Sequence, residues 1–166
     1  MKRVVVIFLL VISQIASSQE PSKHVQGIIN QEYGKIDVAL KSIETNQEYF
    51  DTDIVKHVWS LSISEEIVAY LFEVESKGRM HNFTSLVLLN PEGGVLQVAI
   101  TNYPSTYGVH VTNKRWLSKL RIEAPSKYKY GENVDALSGA TISANGLIDG
   151  IELVREGVKR MSMQKP

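Results

Sequence analysis

The chain of 166 residues contains no cysteine. That excludes disulfides, thiolate-held iron–sulfur clusters, a Cys-x-x-Cys-His haem site and a lipoprotein-type cysteine anchor. Any redox chemistry must therefore use a cofactor that needs no sulfur ligand. Net charge is missing too, since 18 Lys and Arg balance 18 Asp and Glu. A nucleic-acid partner usually demands a clear basic excess, so none is expected. No internal repeat or low-complexity tract is present. Neither a Walker A loop nor a Gly-x-Gly-x-x-Gly turn occurs, and no Gly-x-Ser-x-Gly elbow supports a serine hydrolase. His24, His57, His81 and His110 are scattered without His-x-x-x-His spacing, so no metal site is expected. Asn82-Phe83-Thr84 is a glycosylation sequon on paper only.

What remains is an ordinary globular composition, 43% hydrophobic and 22% charged, in a chain long enough for one domain with its own core. The first stretch reads as a targeting segment. Lys2 and Arg3 precede an unbroken apolar run, Val4 to Ile12, and Ala16 and Ser18 supply small residues at its end. This fits a signal peptide spanning 1–18. The run is short of the roughly 20 residues that cross a bilayer, although an uncleaved anchor is the rival reading. Without residues 1–18 the chain has 16 basic and 18 acidic residues, a net charge of −2.

Val25, Ile28 and Ile29 have helical spacing that ends near Gly34. Lys35 to Ile43 alternates as a strand does. Asn46 to Trp59 reads as a short helix followed by a strand. Ile67 to Val74 is rich in β-branched and aromatic residues. Phe83 to Leu89 and Val95 to Ile100 flank Asn90-Pro91-Glu92-Gly93-Gly94, the pattern of a β-hairpin. Asn113 to Leu120 suits a short helix with Trp116 and Leu120 on one face. Leu147, Ile151, Val154 and Val158 recur at spacings of four, three and four, which predicts a C-terminal helix with one apolar stripe. Glu152, Arg155, Glu156 and Lys159 would then lie on its wet side. Its start falls near Thr141 to Ser143, residues suited to a helix N-cap. The whole reads as an α+β fold, an antiparallel sheet with flanking helices closed by the C-terminal helix. An N-terminal helix/strand region, 19–64, precedes the main domain, 65–166.

The chemistry concentrates in Asp135-Ala-Leu-Ser-Gly-Ala-Thr141. Thr141 offers a hydroxyl at a loop-to-helix junction. Gly139 and Ala140 are small, so a ligand or another protein can approach closely. The helix that follows presents free N–H groups and a partial positive charge, a setting suited to phosphate. From the tetrapeptide alone, a small-residue loop with an N-cap explains the pattern as well.

The longer run, Asp135 to Ser143, closely resembles the flavinylation motif of the FMN-binding domain family. That family includes the C subunit of the sodium-pumping NADH:quinone oxidoreductase and the G subunit of the Rnf complex. The resemblance implies FMN joined covalently through its phosphate to Thr141. It makes Asp135, Ser138, Gly139 and Ala140 the motif that a flavin transferase reads, with Ser143 closing it. Lys77-Gly78-Arg79-Met80-His81 is similar to the family's Gly-Lys-His segment, with Met80 interrupting the spacing. Tyr103-Pro-Ser-Thr-Tyr107-Gly108, then Trp116, resembles its Tyr-x-Glu-x-Tyr-Gly…Trp pattern, with Ser105 where the acid stands. Coverage runs over roughly 65–160, in the coarse sense of motif matching. Tyr107 and Trp116 are candidates to stack on the flavin, and each reads equally well as packing.

Together with the leader, the resemblance implies an exported bacterial flavoprotein. It would sit in the periplasm or at the outer face of the cytoplasmic membrane and pass electrons between membrane or periplasmic redox partners. No catalytic acid–base cluster is read, which points to a shuttle rather than an enzyme with its own substrate. Two other readings stay open: a module that binds FMN or another phosphate-bearing ligand without a covalent bond, and a structural partner domain.

Overall fold

The computed structural model describes residues 21–45, 47–122 and 127–163. The expected signal segment, 1–18, lies outside them. Helix α1, Lys23–Tyr33, begins where the Ser22 hydroxyl accepts a hydrogen bond from the Val25 amide and ends at Gly34. Five strands follow: β1 Ala39–Ile43, β2 Val55–Ile63, β3 Glu66–Ser76, β4 Phe83–Leu89 and β5 Val95–Asn102. They form one antiparallel sheet in chain order. A 3-10 turn, Val109–Thr112, leads into the short helix α2, Lys114–Ser118, and the long helix α3, Thr141–Met163, closes the chain. The architecture is α+β, as the residue pattern predicts. Among the described residues no helix is long and apolar enough to cross a membrane.

The sheet is covered on both faces. Val58, Phe72, Val74, Val87 and Leu89 point to the side where α3 lays Leu147, Ile151, Val154 and Val158. Leu61, Leu71, Leu86 and Leu88 point to the other, against Val25 and Ile28 of α1. Burial on both faces explains why β4 reads as a nearly continuous apolar run rather than an alternation. Each of the four stripe residues of α3 is at most 1% exposed, a burial that contributes roughly 2 kcal/mol per side chain. The β4–β5 turn is closed by Asn90, whose backbone pairs with Gly94 and whose side chain accepts the Gly94 amide at 2.6 Å.

Two expectations are corrected. The stretch read as a short helix before β2 is a set of turns over 47–54, and residue 46 lies outside the described residues. Asp51 is the cause. Its carboxylate accepts the Asp53 amide at 2.9 Å, and its carbonyl accepts the amides of Ile54 and Val55. A side chain that bonds its own backbone competes with helix formation. The second correction is Arg155, which is 1% exposed rather than on the wet side of α3. Its Nε donates to the Gly93 carbonyl at 2.9 Å, its Nη1 pairs with Glu152 at 2.6 Å, and its guanidinium lies over the Tyr128 ring. The residue pins α3 to the β4–β5 turn. The boundary read at 64/65 falls in the two-residue turn between β2 and β3, within the continuous sheet.

Candidate functional site

The loop that carries the motif is held from below. Trp116, 5% exposed, donates its indole N–H to the Asp135 carbonyl at 2.8 Å. The Asp135 carboxylate pairs with Lys119, just past α2. The Tyr130 hydroxyl accepts the Leu137 amide at 2.7 Å and donates to the Leu137 carbonyl at 3.2 Å. The Ala140 amide then returns to the Leu137 carbonyl at 3.1 Å, closing a turn whose third residue is Gly139 at φ 73°. That conformation is the reason for glycine, because L side chains avoid it. Ala140 is buried, whereas Ser138, Gly139 and Thr141 face outward.

Helix α3 starts at Thr141, and the Ala140 carbonyl accepts the Ala144 amide at 2.8 Å. Alanine therefore holds the cap position, and it has no oxygen to offer the first amides of the helix. The expectation of a hydroxyl N-cap at 141–143 is corrected accordingly. Thr141 is the first helical residue, and among the described residues no hydrogen bond engages its hydroxyl. The result is a helix N-terminus with open donors, the positive end of the α3 dipole and a free alcohol beside it.

Ser143 has a different place from its neighbours. It is 1% exposed, and its hydroxyl meets that of Tyr103 at 2.8 Å. Tyr103 spends its one proton on the Tyr107 carbonyl at 2.7 Å, so Ser143 is the donor of the pair. This contact fixes the loop after β5 against the start of α3. Gly108 sits at the crossing with φ 79°. A Cβ there would lie 2.7 Å from the Tyr103 oxygen and 2.8 Å from that of Ser143.

Between these parts lies a cleft of about 170 Å³ lined by Arg79, Gly108 and residues 139–143. Arg79 is its one charged lining residue among those described. It reaches the site because the turn after β3 packs directly on α3, where a Cβ at Gly146 would lie 2.1 Å from the Lys77 carbonyl. The guanidinium stands 5.9 Å over the Tyr107 ring. The 77–81 segment is recognisable in the sequence, but Arg79 itself is marked there only by its position after Gly78. A larger cleft of about 680 Å³ runs along another side of α3 and contains none of the motif residues. Its lining carries Asp51, Asp53, Asp149, Glu152 and Glu156 against Lys127 and Arg160, an acidic surface that would repel a phosphate.

The structure thus brings Ser138, Gly139, Ala140, Thr141 and Ser143 together with Arg79 and Tyr107. Tyr107 is 60% exposed at the rim. Asp135 sits at the far end of the loop, and Trp116 lies under it in the core. The donor set fits a phosphate-bearing group: open amides, one cation and small residues on the approach. No match is found among curated proteins. Residues 78–156 match the family model described as FMN-binding domain. That segment contains every residue lining the 170 Å³ cleft. Over residues 78–156 the chain therefore carries a domain of the FMN-binding domain family.

Proposed function

We propose that this protein is an exported electron carrier whose FMN is joined through its phosphate to Thr141 Oγ1. The observation that carries the reading is the Thr141 hydroxyl itself. It is exposed, unengaged and placed beside Arg79 at the uncapped start of α3. Forming the ester requires an FMN donor activated as a pyrophosphate. The Thr141 oxygen–phosphorus bond forms as the pyrophosphate bond breaks, the hydroxyl proton is lost, and a nucleoside monophosphate leaves. A flavin transferase supplies that step, with Asp135 through Ala140 as its recognition segment. The phosphodiester left behind carries one negative charge, and Arg79 and the first α3 amides offset it. Bound flavin supplies the one- and two-electron chemistry, and the chain supplies position and electrostatics. Covalent attachment suits a carrier working beyond the cytoplasm, where a dissociating cofactor would be lost. The leader at 1–18 motivates that location. Redox partners in the membrane or periplasm follow from it.

Intact-mass measurement of the protein co-expressed with a flavin transferase tests the reading. The expected gain is FMN less one water, abolished in Thr141→Ala. The open amides and Arg79 also suit a phosphate held without a bond. Yellow colour lost on denaturation, with no mass gain, would favour that second reading over the first. A colourless protein under both conditions would leave a structural partner domain.

A further inference from the structure

Six large apolar side chains stand exposed among the described residues, and four of them flank one place. Met80 is 60% exposed, Tyr107 60%, Val109 44% and Ile142 49%. Ile142 lines the cleft directly, Met80 follows Arg79, and Tyr107 and Val109 flank Gly108. Three separate segments, from the turn after β3, the loop after β5 and the first turn of α3, thus contribute to one apolar collar. Single exposed apolar residues need no explanation, but a cluster around a ligand cleft does.

The size of the cleft adds the second observation. Its volume of about 170 Å³ is well below the roughly 300–1,000 Å³ that enclose a ligand of FMN's size. A phosphate and the first carbons of a ribityl chain fill such a space. A tricyclic ring does not. We infer that the isoalloxazine of an FMN held at this cleft lies outside it, seated on the collar of Met80, Tyr107, Val109 and Ile142. The inference rests on the reading of Thr141 as the attachment point. The seat is one-sided. One face of the ring meets apolar side chains and the Tyr107 phenol, and the opposite face stays open to a redox partner. Arg79, held over Tyr107, marks the passage from the polar cleft to the apolar seat. Electron transfer then proceeds by surface contact, without a lid or a buried substrate pocket.

The experiment uses full-length protein co-expressed with a flavin transferase, alongside a Met80→Gln/Val109→Gln double variant whose two positions lie outside the cleft lining. Both side chains are exposed, so the fold is expected to survive, and far-UV circular dichroism with thermal unfolding checks it. Intact mass is read first, so a failure of attachment is recorded separately as a failure of the carrier reading. Flavin fluorescence quenching by acrylamide and visible-region circular dichroism are then measured. Wild-type protein is expected to show quenching several-fold weaker than free FMN and an induced visible dichroism. The double variant, with equal flavin content, is expected to move both towards free FMN. Quenching equal to that of free FMN in the wild type, or no change in the double variant, would overturn the seat. If no adduct forms, the same optical readouts on protein titrated with FMN decide it by the same criteria. Flavin-free protein that dimerises, and becomes monomeric in the double variant, would assign the collar to a second copy instead.

Discussion

Trp116 donates its indole N–H to the Asp135 carbonyl at 2.8 Å, which ties the buried face of α2 to the first residue of the loop that leads to Thr141. The bond gives the loop a fixed origin six residues before Thr141. Trp116→Phe keeps an aromatic ring in the core and removes only this donor and some volume. Loss of a buried hydrogen bond costs about 1 kcal/mol, and the smaller ring adds a similar amount. A reduced urea midpoint is therefore expected, together with slower flavin attachment in a time course of intact mass. An unchanged attachment rate would show that the loop holds its shape without the bond.

Arg79→Ala removes the one cation that lines the cleft among the described residues. Its guanidinium is expected to neutralise the phosphodiester, so attachment yield falls while the melting temperature changes little. Arg79→Lys is expected to restore part of the yield, since a point charge replaces a planar donor fork. Equal attachment in all three proteins would remove Arg79 from the phosphate.

Arg155→Met tests the buried guanidinium. The change strands the Gly93 carbonyl and leaves Glu152 beside an apolar group. Breaking such a buried pair typically costs about 3–5 kcal/mol, here towards the lower end because Glu152 keeps some contact with water. Chemical denaturation is the measurement. A loss under about 1 kcal/mol would show that methionine packing offsets the lost bonds.

The elements that could be read along the chain are those specified locally. The α3 stripe repeats at helical spacing, and the β4–β5 turn is written as Asn90 to Gly94. Arg155 could not be placed this way. Its burial depends on the Gly93 carbonyl, 62 residues away, and a charged residue beside an apolar stripe reads as solvated. Arg79 is another such case. Its arrival at Thr141 depends on Gly146 admitting the Lys77 backbone, a packing fact with no local signature. Thr141 itself was legible as a helix start. That Ala140 takes the cap position, leaving the hydroxyl free, was not, because helix boundaries shift by one residue without changing the pattern.

Alkaline pH supplies a different test. Burial pushes the Tyr128 hydroxyl above its ordinary pKa of 10.0, with Glu152 adding to the rise and Arg155 opposing it. Tyr33 and Tyr70 are raised as well, in each case mainly by burial. Above about pH 10 the unfolded chain has lost these protons while the native state keeps them, so stability falls as pH rises further. Below pH 10 these groups contribute no slope. Urea midpoints are expected to decline from pH 10 upward. In Tyr128→Phe the decline is shallower, although stability at neutral pH drops by about 1 kcal/mol with loss of the bond to the Leu120 carbonyl. An identical alkaline slope in the variant would exclude Tyr128 as a source.

The two motif-side glycines separate strain from collision. Gly139 has φ 73°, yet an added Cβ there meets nothing within 4 Å. Gly139→Ala is therefore expected to cost about 1–2 kcal/mol from backbone conformation, and Gly139→Asn less, since asparagine tolerates the left-handed region. Gly146 has no positive φ, but its Cβ would lie 2.1 Å from a backbone carbonyl. Gly146→Ala is expected to cost more, about 3 kcal/mol, because neither α3 nor the turn after β3 can yield without moving Arg79 off the cleft. Attachment should fall in Gly146→Ala even at temperatures where the protein stays folded. Should Gly146→Ala prove the milder of the two, the contact between α3 and Lys77 is not what brings Arg79 to the site.

Asp135 offers the sharpest separation of stability from recognition. Its side chain is 61% exposed and its partner Lys119 is 52% exposed. An ion pair this open contributes at most about 1 kcal/mol and is weakened by salt. Asp135→Asn is therefore expected to leave the thermal midpoint nearly unchanged. The Trp116 bond also survives, because it uses the backbone carbonyl. On the proposed reading, attachment of FMN is nevertheless expected to fail or slow strongly, because Asp135 would be the carboxylate at the start of the segment a transferase recognises. Lys119→Ala supplies the control: it frees the same carboxylate without removing it, so attachment should persist or quicken. Attachment lost in both variants would make the ion pair, rather than the carboxylate, the recognised feature. Attachment retained in Asp135→Asn would leave the carboxylate with no part in the reaction.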